Sequence, residues 1–331
     1  MKHLFIINPI AGGLRGQANR IVGEIRAFFN SHPRMSADIH ITRWKRDAMG
    51  FTRRYVTNSD ELVRVYAIGG TGTFFEVING VIGVPNTQVA LCPMGAKNSF
   101  LQYYGDDALY FFRSFRNLIF SGTISLDAVR WGNTYGVNNC LIGVEALSYF
   151  RGGEVITKTH LPDDLCYKGY GAYCLLTGRA VQRYRIELDG EQIEDDYVSI
   201  MIANSPCYGK HMYPAIDASP YDGKLNVYLL KPMPKSKIIP VISDYEHGRY
   251  RKWPGFVSHH ETKTLSISSD RVMPICFDGE MFFDSRVDFG IIHRGVDMVC
   301  PAEVNPNRRG LPGNIRTAAA NTAKTGTGER A

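Results

Sequence analysis

Three glycine-bearing loops and one acidic turn hold the residue types that could bind and transfer a phosphate. The most informative loop is Ile68-Gly-Gly-Thr-Gly-Thr-Phe-Phe-Glu-Val-Ile-Asn-Gly80, which follows a β-branched and aromatic run at 64–68. Without Cβ atoms, Gly69, Gly70 and Gly72 allow positive φ and let a ligand approach the backbone. The N–H groups at the helix start that follows suit a phosphate. From this loop alone, a phosphate site and an ordinary strand–helix turn both remain open.

Three further stretches extend this pattern. They are Asn8-Pro9-Ile10-Ala11-Gly12-Gly13, Pro93-Met94-Gly95-Ala96-Lys97-Asn98-Ser99-Phe100 and Phe277-Asp278-Gly279-Glu280. In order and spacing, these stretches and the central loop resemble the diacylglycerol kinase catalytic-domain family of lipid kinases over residues 1 to about 301. That family includes bacterial lipid kinases and the sphingosine and ceramide kinases, and NAD kinases are more distant relatives.

The order of predicted elements indicates two domains. In the first part of the chain, predicted helices alternate with predicted strands at 4–7, 38–42, 64–68 and 88–92. One of these helices is a basic stretch from Arg43 to Arg54. Such an alternation is typical of a doubly wound parallel sheet. Ligands bind such sheets at the carboxyl ends of the strands. Short strand-like runs beyond Gly122 predict an antiparallel domain, and the resemblance implies a β-sandwich.

We therefore expect a nucleotide-binding α/β domain at 1–121, completed by about 285–301. The lipid or substrate domain is expected at 122–284, and a disordered basic tail at 302–331.

The composition of the chain limits the kinds of partner and the cellular compartment that we expect. The formal charge is +6, and residues 302–331 supply +3 of it, from five basic and two acidic side chains. The rest of the chain is nearly neutral, which argues against nucleic acid as a partner. Seven cysteines without a C-x-x-C pair indicate buried thiols in a reducing compartment. No apolar run reaches 18 residues, so we expect a cytoplasmic protein, peripheral to the inner face of the membrane. A homodimer remains an open alternative.

The resemblance implies roles for individual residues. ATP is the expected nucleotide, and its predicted contacts are Asn8, Pro9, Ala11, Gly12, Thr42, Gly69, Gly70, Thr71, Gly72, Thr73, Glu76, Gly95, Ala96 and Asn98. For Glu76 the alternative is a solvated helix residue. Glu280 is the predicted general base, and Asp278 would hold a cation or orient the acceptor hydroxyl. The alternative for both is an ordinary hairpin turn.

The resemblance also implies a structural Mg²⁺ at Ser219, Asp222 and Lys224, through one carboxylate and two backbone carbonyls. The alternative is a plain Asp-Gly turn, and Asn226 stands where the family usually has Asp.

The chain departs from the family where catalysis is concerned. Thr71 and Ser99 each stand in place of Asp, and Ala96 stands in place of Thr. The leading prediction is an ATP-dependent kinase that phosphorylates a diacylglycerol-like or sphingoid lipid at the membrane surface. The alternatives are a catalytically weak or inactive nucleotide- or lipid-binding protein and, ranked lower, a kinase of the NAD kinase type. Two basic stretches, at 43–54 and 245–253, could face lipid or be solvated helix surface.

Overall fold

The structure, a computed structural model, describes residues 1–11, 16–95, 98–105, 107–159, 163–209 and 212–304. The described chain forms two compact units. The first contains Met1–Ala128, Thr134–Gly136 and residues 292–304, and the second contains Val129–Asn133 and Val137–Ile291. The predicted tail at 302–331 lies almost entirely outside the described residues, as do Gly12 and Ala96.

The first unit alternates strands and helices along the chain. Its elements are β1 (Lys2–Ile7), α1 (Ala18–Asn30), β2 (Ser36–Ile41), α2 (Asp47–Thr57), β3 (Val63–Gly69), α3 (Thr71–Val81), β4 (Thr87–Pro93), a 3₁₀ helix (Phe100–Tyr104), α4 (Ala108–Phe112), α5 (Phe115–Phe120), the start of β5 (Gly122–Trp131) and β6 (Thr134–Gly136).

The first four strands form a parallel sheet in the order β4-β3-β1-β2. Ile7, the last residue of β1, pairs with Ile41 on one side and Ile68 on the other. Every residue of β3 is buried, as expected for a strand covered on both faces. The predicted parallel sheet is confirmed, and its carboxyl ends place the first three candidate loops along one edge.

The basic stretch after β2 is not one helix, which corrects the sequence prediction. Helix α2 begins only at Asp47, and residues 43–46 form a turn. Arg46 adopts a left-handed conformation at φ 67°, which an α-helix cannot continue through. Arg53 and Arg54 lie in the helix, whereas Arg43, Lys45 and Arg46 precede it.

The second unit is rich in antiparallel strands. Its elements are the end of β5, β7 (Asn139–Gly143), α6 (Val144–Thr159), α7 (Asp163–Thr177), β8 (Gln182–Leu188), β9 (Glu191–Tyr197), β10 (Ser199–Ala203), β11 (Leu225–Leu230), α8 (Lys235–Glu246), a 3₁₀ helix (Tyr250–Lys252), β12 (Val257–Thr262), β13 (Thr264–Phe277) and β14 (Glu280–Cys300), whose last residues belong to the first unit.

Strands of the second unit run in the order β12-β11-β10-β7-β13, and β8 with β9 form a hairpin beside β13. Their pairings are antiparallel, as predicted. The sequence analysis missed helices α6 and α7, whose residues mix Tyr, Gly and Thr with apolar side chains. Among the described residues, no helix is both long and apolar enough to cross a membrane.

Candidate active site

Asn8 joins the first two candidate loops. Its backbone N–H donates to the carbonyl of Ile68 at 3.0 Å, and its side-chain Nδ2 donates to Thr73 Oγ1 at 3.1 Å. Its Oδ1 accepts from the N–H of Ile10 at 3.2 Å, which turns the chain after β1. One side chain therefore fixes the loop after β1 against the start of α3.

The third loop is attached to the second by the backbone. The N–H of Met94 donates to the carbonyl of Gly69 at 3.0 Å. Asn98 is buried, and its Oδ1 accepts from the N–H of Leu101 at 3.1 Å, which caps the 3₁₀ helix. Arg113 donates to the carbonyl of Gly95 at 2.6 Å. The three loops predicted to hold the nucleotide thus lie together at the carboxyl ends of β1, β3 and β4.

Neither Gly69 nor Gly70 uses the positive φ that glycine allows, so a reason for glycine at these positions must come from the space around them. A Cβ on Gly69 would lie 2.4 Å from Thr73 Oγ1 and 2.8 Å from Thr73 Cβ. A Cβ on Gly70 would meet nothing within 4 Å. The packing of the protein therefore explains Gly69, whereas the space beside Gly70 is open.

Helix α3 begins without a side-chain cap. Its N-cap residue is Gly70, and its first turn contains no acidic residue, because Thr71 occupies the first helical position. Thr71 is exposed. The start of α3 therefore offers backbone N–H groups and a hydroxyl to an anion, but no carboxylate to a metal ion.

Thr42 and Glu76 border the same edge of the sheet. The N–H of Thr42 donates to the carbonyl of Ile7 at 2.9 Å, next to the loop of Asn8. The carboxylate of Glu76 accepts from the N–H of Arg46 at 2.8 Å and so holds the turn after β2. Glu76 is partly buried and has a defined hydrogen-bond partner, and its contact with the nucleotide stays a prediction.

In the second unit, Asp278 and Gly279 form a two-residue turn between β13 and β14. Their φ angles are 47° and 89°, as a type I′ hairpin requires. The Asp278 carboxylate accepts from three successive backbone N–H groups, those of Val137 at 2.7 Å, Asn138 at 3.1 Å and Asn139 at 2.8 Å. Burial raises the pKa of this carboxyl to about 6, although the three donors pull the pKa down.

Glu280 follows the turn as the first residue of β14 and pairs with Phe277. Burial raises the pKa of the Tyr149 phenol, and the Glu280 carboxylate contributes in the same direction. Phe150 and Phe283 pack edge to face with centroids 5.6 Å apart. Tyr149 and Phe283 remain 42% and 53% exposed. Tyr149, an aromatic residue of α6, therefore lies within electrostatic reach of the carboxylate predicted to act as the base.

The predicted magnesium residues lie in an exposed turn. Asp222 Oδ1 accepts from the N–H of Lys224 at 3.1 Å, and Lys224 Nζ pairs with Glu261 at 2.5 Å. Gly223 has a φ of 70°. One carboxylate and backbone carbonyls are oxygen donors of the kind Mg²⁺ accepts, so the residue set fits this ion. No group of three or more His, Cys, Asp or Glu residues suited to a metal occurs in the described part of the chain.

Three polar residues near the acidic turn were missed by the sequence analysis. Asn138 and Asn139 supply two of the donors to Asp278 and are buried. Glu145, in α6, accepts hydrogen bonds from the hydroxyls of Ser199 and Tyr208, and burial raises its pKa. The pair Asn138-Asn139 just before an apolar strand was an available signal, because buried amides require partners.

Comparisons with known proteins agree with this architecture. The family model described as the diacylglycerol kinase catalytic domain matches residues 2–119. The model described as the YegS C-terminal NAD kinase beta sandwich-like domain matches residues 143–308, half of the chain. These matches define a protein with a kinase-type α/β domain and a sandwich-like β domain. The chain belongs to the diacylglycerol kinase catalytic-domain family.

Individual relatives have low sequence identity to this chain, but the matches cover most of its length. A protein of Staphylococcus haemolyticus named "putative lipid kinase" is 22% identical over 242 residues, which are 73% of this chain and 77% of that protein. A protein of Staphylococcus aureus strain JH9 with the same description is 23% identical over 249 residues, 75% of this chain and 79% of that protein.

Solved structures confirm the predicted fold. A crystal structure described as a "putative diacylglycerol kinase" from Bacillus anthracis superposes with a TM-score of 0.67. It is 21% identical, with coverage of 92% of this chain and 98% of that chain. This structure confirms the predicted pair of domain folds, and the family models confirm the predicted family.

Proposed function

We propose that this protein is an ATP-dependent lipid kinase that transfers the γ-phosphate to the hydroxyl of a diacylglycerol-like or sphingoid lipid at a membrane surface. The observation that carries the proposal is the joining of three loops by Asn8 and Met94 around the uncapped start of α3. Backbone N–H groups at such a helix start bind phosphate without needing a cationic side chain. The relatives named as lipid kinases support the same class of reaction.

Glu280 is the proposed general base. The carboxylate would take the proton of the lipid hydroxyl while the hydroxyl oxygen forms a bond to the γ-phosphorus and ADP leaves. Tyr149, the partly exposed aromatic residue that interacts with this carboxylate, suits an acceptor with an apolar body.

Asp278 is better suited to positioning than to binding a cation. Its carboxylate oxygens already accept from three backbone N–H groups, which fix the turn that presents Glu280. We therefore assign Asp278 to holding Glu280 in place rather than to contact with the substrate hydroxyl.

Magnesium would supply charge neutralisation on the transferred phosphate. At the first position of α3 the chain offers the Thr71 hydroxyl, which can contact a phosphate oxygen or a metal-bound water. Ser219, Asp222 and Lys224 are the proposed residues of a separate structural ion. The oxygen donors of that turn fit Mg²⁺ without a cluster of carboxylates.

The test is transfer of radiolabelled γ-phosphate from ATP to lipids in mixed micelles. Glu280→Gln removes the base but keeps the side chain's size, and should lower turnover by about 10²–10⁴-fold. Glu187→Gln, at an exposed carboxylate of the same unit, is the matched control and should retain turnover. Full turnover in Glu280→Gln would remove this residue from the role of base.

A second candidate is supported by Thr71, which leaves the first turn of α3 without an acidic residue. The protein would then bind nucleotide or lipid with little or no phosphoryl transfer. Binding would persist because it rests on backbone groups, whereas metal-assisted catalysis would be weak. Calorimetric titration of ATP with and without Mg²⁺ separates the two, since a binding protein of this kind should show little dependence on Mg²⁺.

A further inference from the structure

An exposed turn between β2 and α2 has a composition unusual for a protein surface. It consists of Arg43, Trp44, Lys45 and Arg46, called here the basic turn, and all four residues are exposed. Trp44 is 65% exposed. Because tryptophan is usually largely buried, an exposed indole between three cations requires an explanation.

The basic turn is held in place by hydrogen bonds at both ends. The N–H of Arg43 donates to Asp47 Oδ2 at 2.9 Å, and the N–H of Arg46 donates to Glu76 Oε1 at 2.8 Å. The preceding residue, Thr42, donates to the carbonyl of Ile7 at 2.9 Å. Trp44 is therefore exposed on a fixed turn rather than on a frayed segment.

The surface around the basic turn is apolar as well as cationic. Ile10 and Ile41 are 74% and 37% exposed at the carboxyl ends of β1 and β2, two strands that pair directly. The nearest carboxylate in sequence, Asp47, is only 6% exposed and is bonded to His40 at 3.0 Å. Asp47 and Glu76 accept hydrogen bonds from the backbone N–H groups of the basic turn, and its three cationic side chains outnumber these two carboxylates.

We propose that the basic turn, with Ile10 and Ile41, is the surface by which this protein docks on an anionic lipid leaflet. The proposal rests on the lipid kinase function proposed above, whose acceptor lies in a membrane. Indole rings occupy the boundary between headgroups and acyl chains, and arginine and lysine side chains bind lipid phosphates. The three cations of the basic turn are complementary in charge to an anionic leaflet, and this complementarity favours a lipid surface as the partner.

The other basic and aromatic stretch does not compete for this role. In residues 245–253, Tyr245 and Tyr250 are each only 3% exposed. Trp253 donates its indole N–H to Asp244 at 2.9 Å. The two tyrosine rings belong to the interior of the second unit, and the partly buried Trp253 is already bonded to Asp244, so this stretch offers a membrane less than the basic turn does.

The test is co-sedimentation of the full chain with two kinds of vesicle. One kind contains phosphatidylcholine alone, and the other also contains about 30 mol% of the anionic lipid phosphatidylglycerol. Wild type should bind the anionic vesicles, and Arg43→Gln with Arg46→Gln should weaken binding about fivefold for each cation removed. The charge-matched control is Arg26→Gln with Arg34→Gln, two exposed arginines distant in sequence from the basic turn. Trp44→Ala should weaken binding several-fold, whereas Phe120→Ala, a 70% exposed aromatic in α5, should not.

The outcomes separate docking from catalysis. Variants of the basic turn should lose activity on vesicle lipids and keep activity on lipids in detergent micelles. Equal vesicle binding by wild type and the basic-turn variants would overturn the docking surface while leaving the kinase function intact. Weakened ATP affinity in Trp44→Ala, with vesicle binding unchanged, would assign the indole to the nucleotide instead and also overturn the proposal. Loss of the kinase function itself would appear as absence of product in micelles with wild type.

Discussion

Two adjacent glycines in the central loop should respond differently to alanine. A Cβ on Gly69 would lie 2.4 Å from Thr73 Oγ1 and 2.8 Å from Thr73 Cβ, distances that real Cβ atoms essentially never show. The clash includes the Cβ of Thr73, so rotating the threonine side chain cannot relieve it. Overpacking of this kind costs about 1–3 kcal/mol. Gly69→Ala should therefore lower the free energy of unfolding by about that amount.

The same substitution should also weaken nucleotide binding. Thr73 accepts the hydrogen bond from Asn8, and displacement of Thr73 would separate the first loop from the second. Gly70→Ala is the matched control for stability, because nothing lies within 4 Å of the added methyl and Gly70 has an ordinary φ of −97°. Its free energy of unfolding should stay within about 0.5 kcal/mol of wild type.

Nucleotide affinity should nevertheless fall in Gly70→Ala, because the methyl would occupy the space through which a phosphate approaches the start of α3. Urea unfolding followed by circular dichroism gives the stabilities, and calorimetry gives the ATP affinities. A Gly69→Ala protein as stable as wild type would refute the steric argument. A Gly70→Ala protein that binds ATP normally would show that phosphate does not approach there.

Three further substitutions test candidate residues of the first and the second unit. Thr71→Asp restores the family's loop carboxylate and should raise turnover about tenfold or more, which corresponds to lowering the barrier by about 1.4 kcal/mol. Unchanged or reduced turnover would mean that threonine belongs to an intact variant site. Asn8→Ala removes hydrogen bonds to Thr73 and Ile10 and should weaken ATP binding about thirtyfold in calorimetry, at about 1 kcal/mol for each bond. Normal affinity would contradict the role of Asn8. Asp278, whose pKa rises from 3.8 to about 6 on folding, binds its proton more tightly in the folded state. Between pH 4 and pH 7 the wild type should therefore lose up to about 3 kcal/mol of stability relative to Asp278→Asn, and parallel urea midpoints across this range would disprove the raised pKa.

The parallel sheet could be predicted because its strands are nearly continuous apolar runs. Leu4 to Ile7 and Arg64 to Ile68 have the composition of strands buried on both faces. The loops after them could then be placed at one edge of the sheet. The helices α6 and α7 could not be predicted, because their tyrosines, glycines and threonines give no clear helical period.

The sequence predicted which residues belong to the candidate site, but it did not predict the hydrogen bonds between them. Asn8 was recognised in its motif, but its bond to Thr73 depends on strand pairing that brings positions 65 residues apart into contact. The three donors to Asp278 lie 139–141 residues away, which no local pattern reveals. The left-handed conformation of Arg46, which ends the turn before α2, depends on Glu76 in another helix.

The central claim is that this protein phosphorylates a lipid hydroxyl at the expense of ATP. The most direct measurement supplies radiolabelled ATP and Mg²⁺ to wild type with a diacylglycerol, a sphingoid base and NAD as competing acceptors, and separates the products by chromatography. The account predicts a labelled phospholipid that depends on Glu280. Labelled NADP as the main product, or bound ATP with no transfer to any lipid, would contradict it.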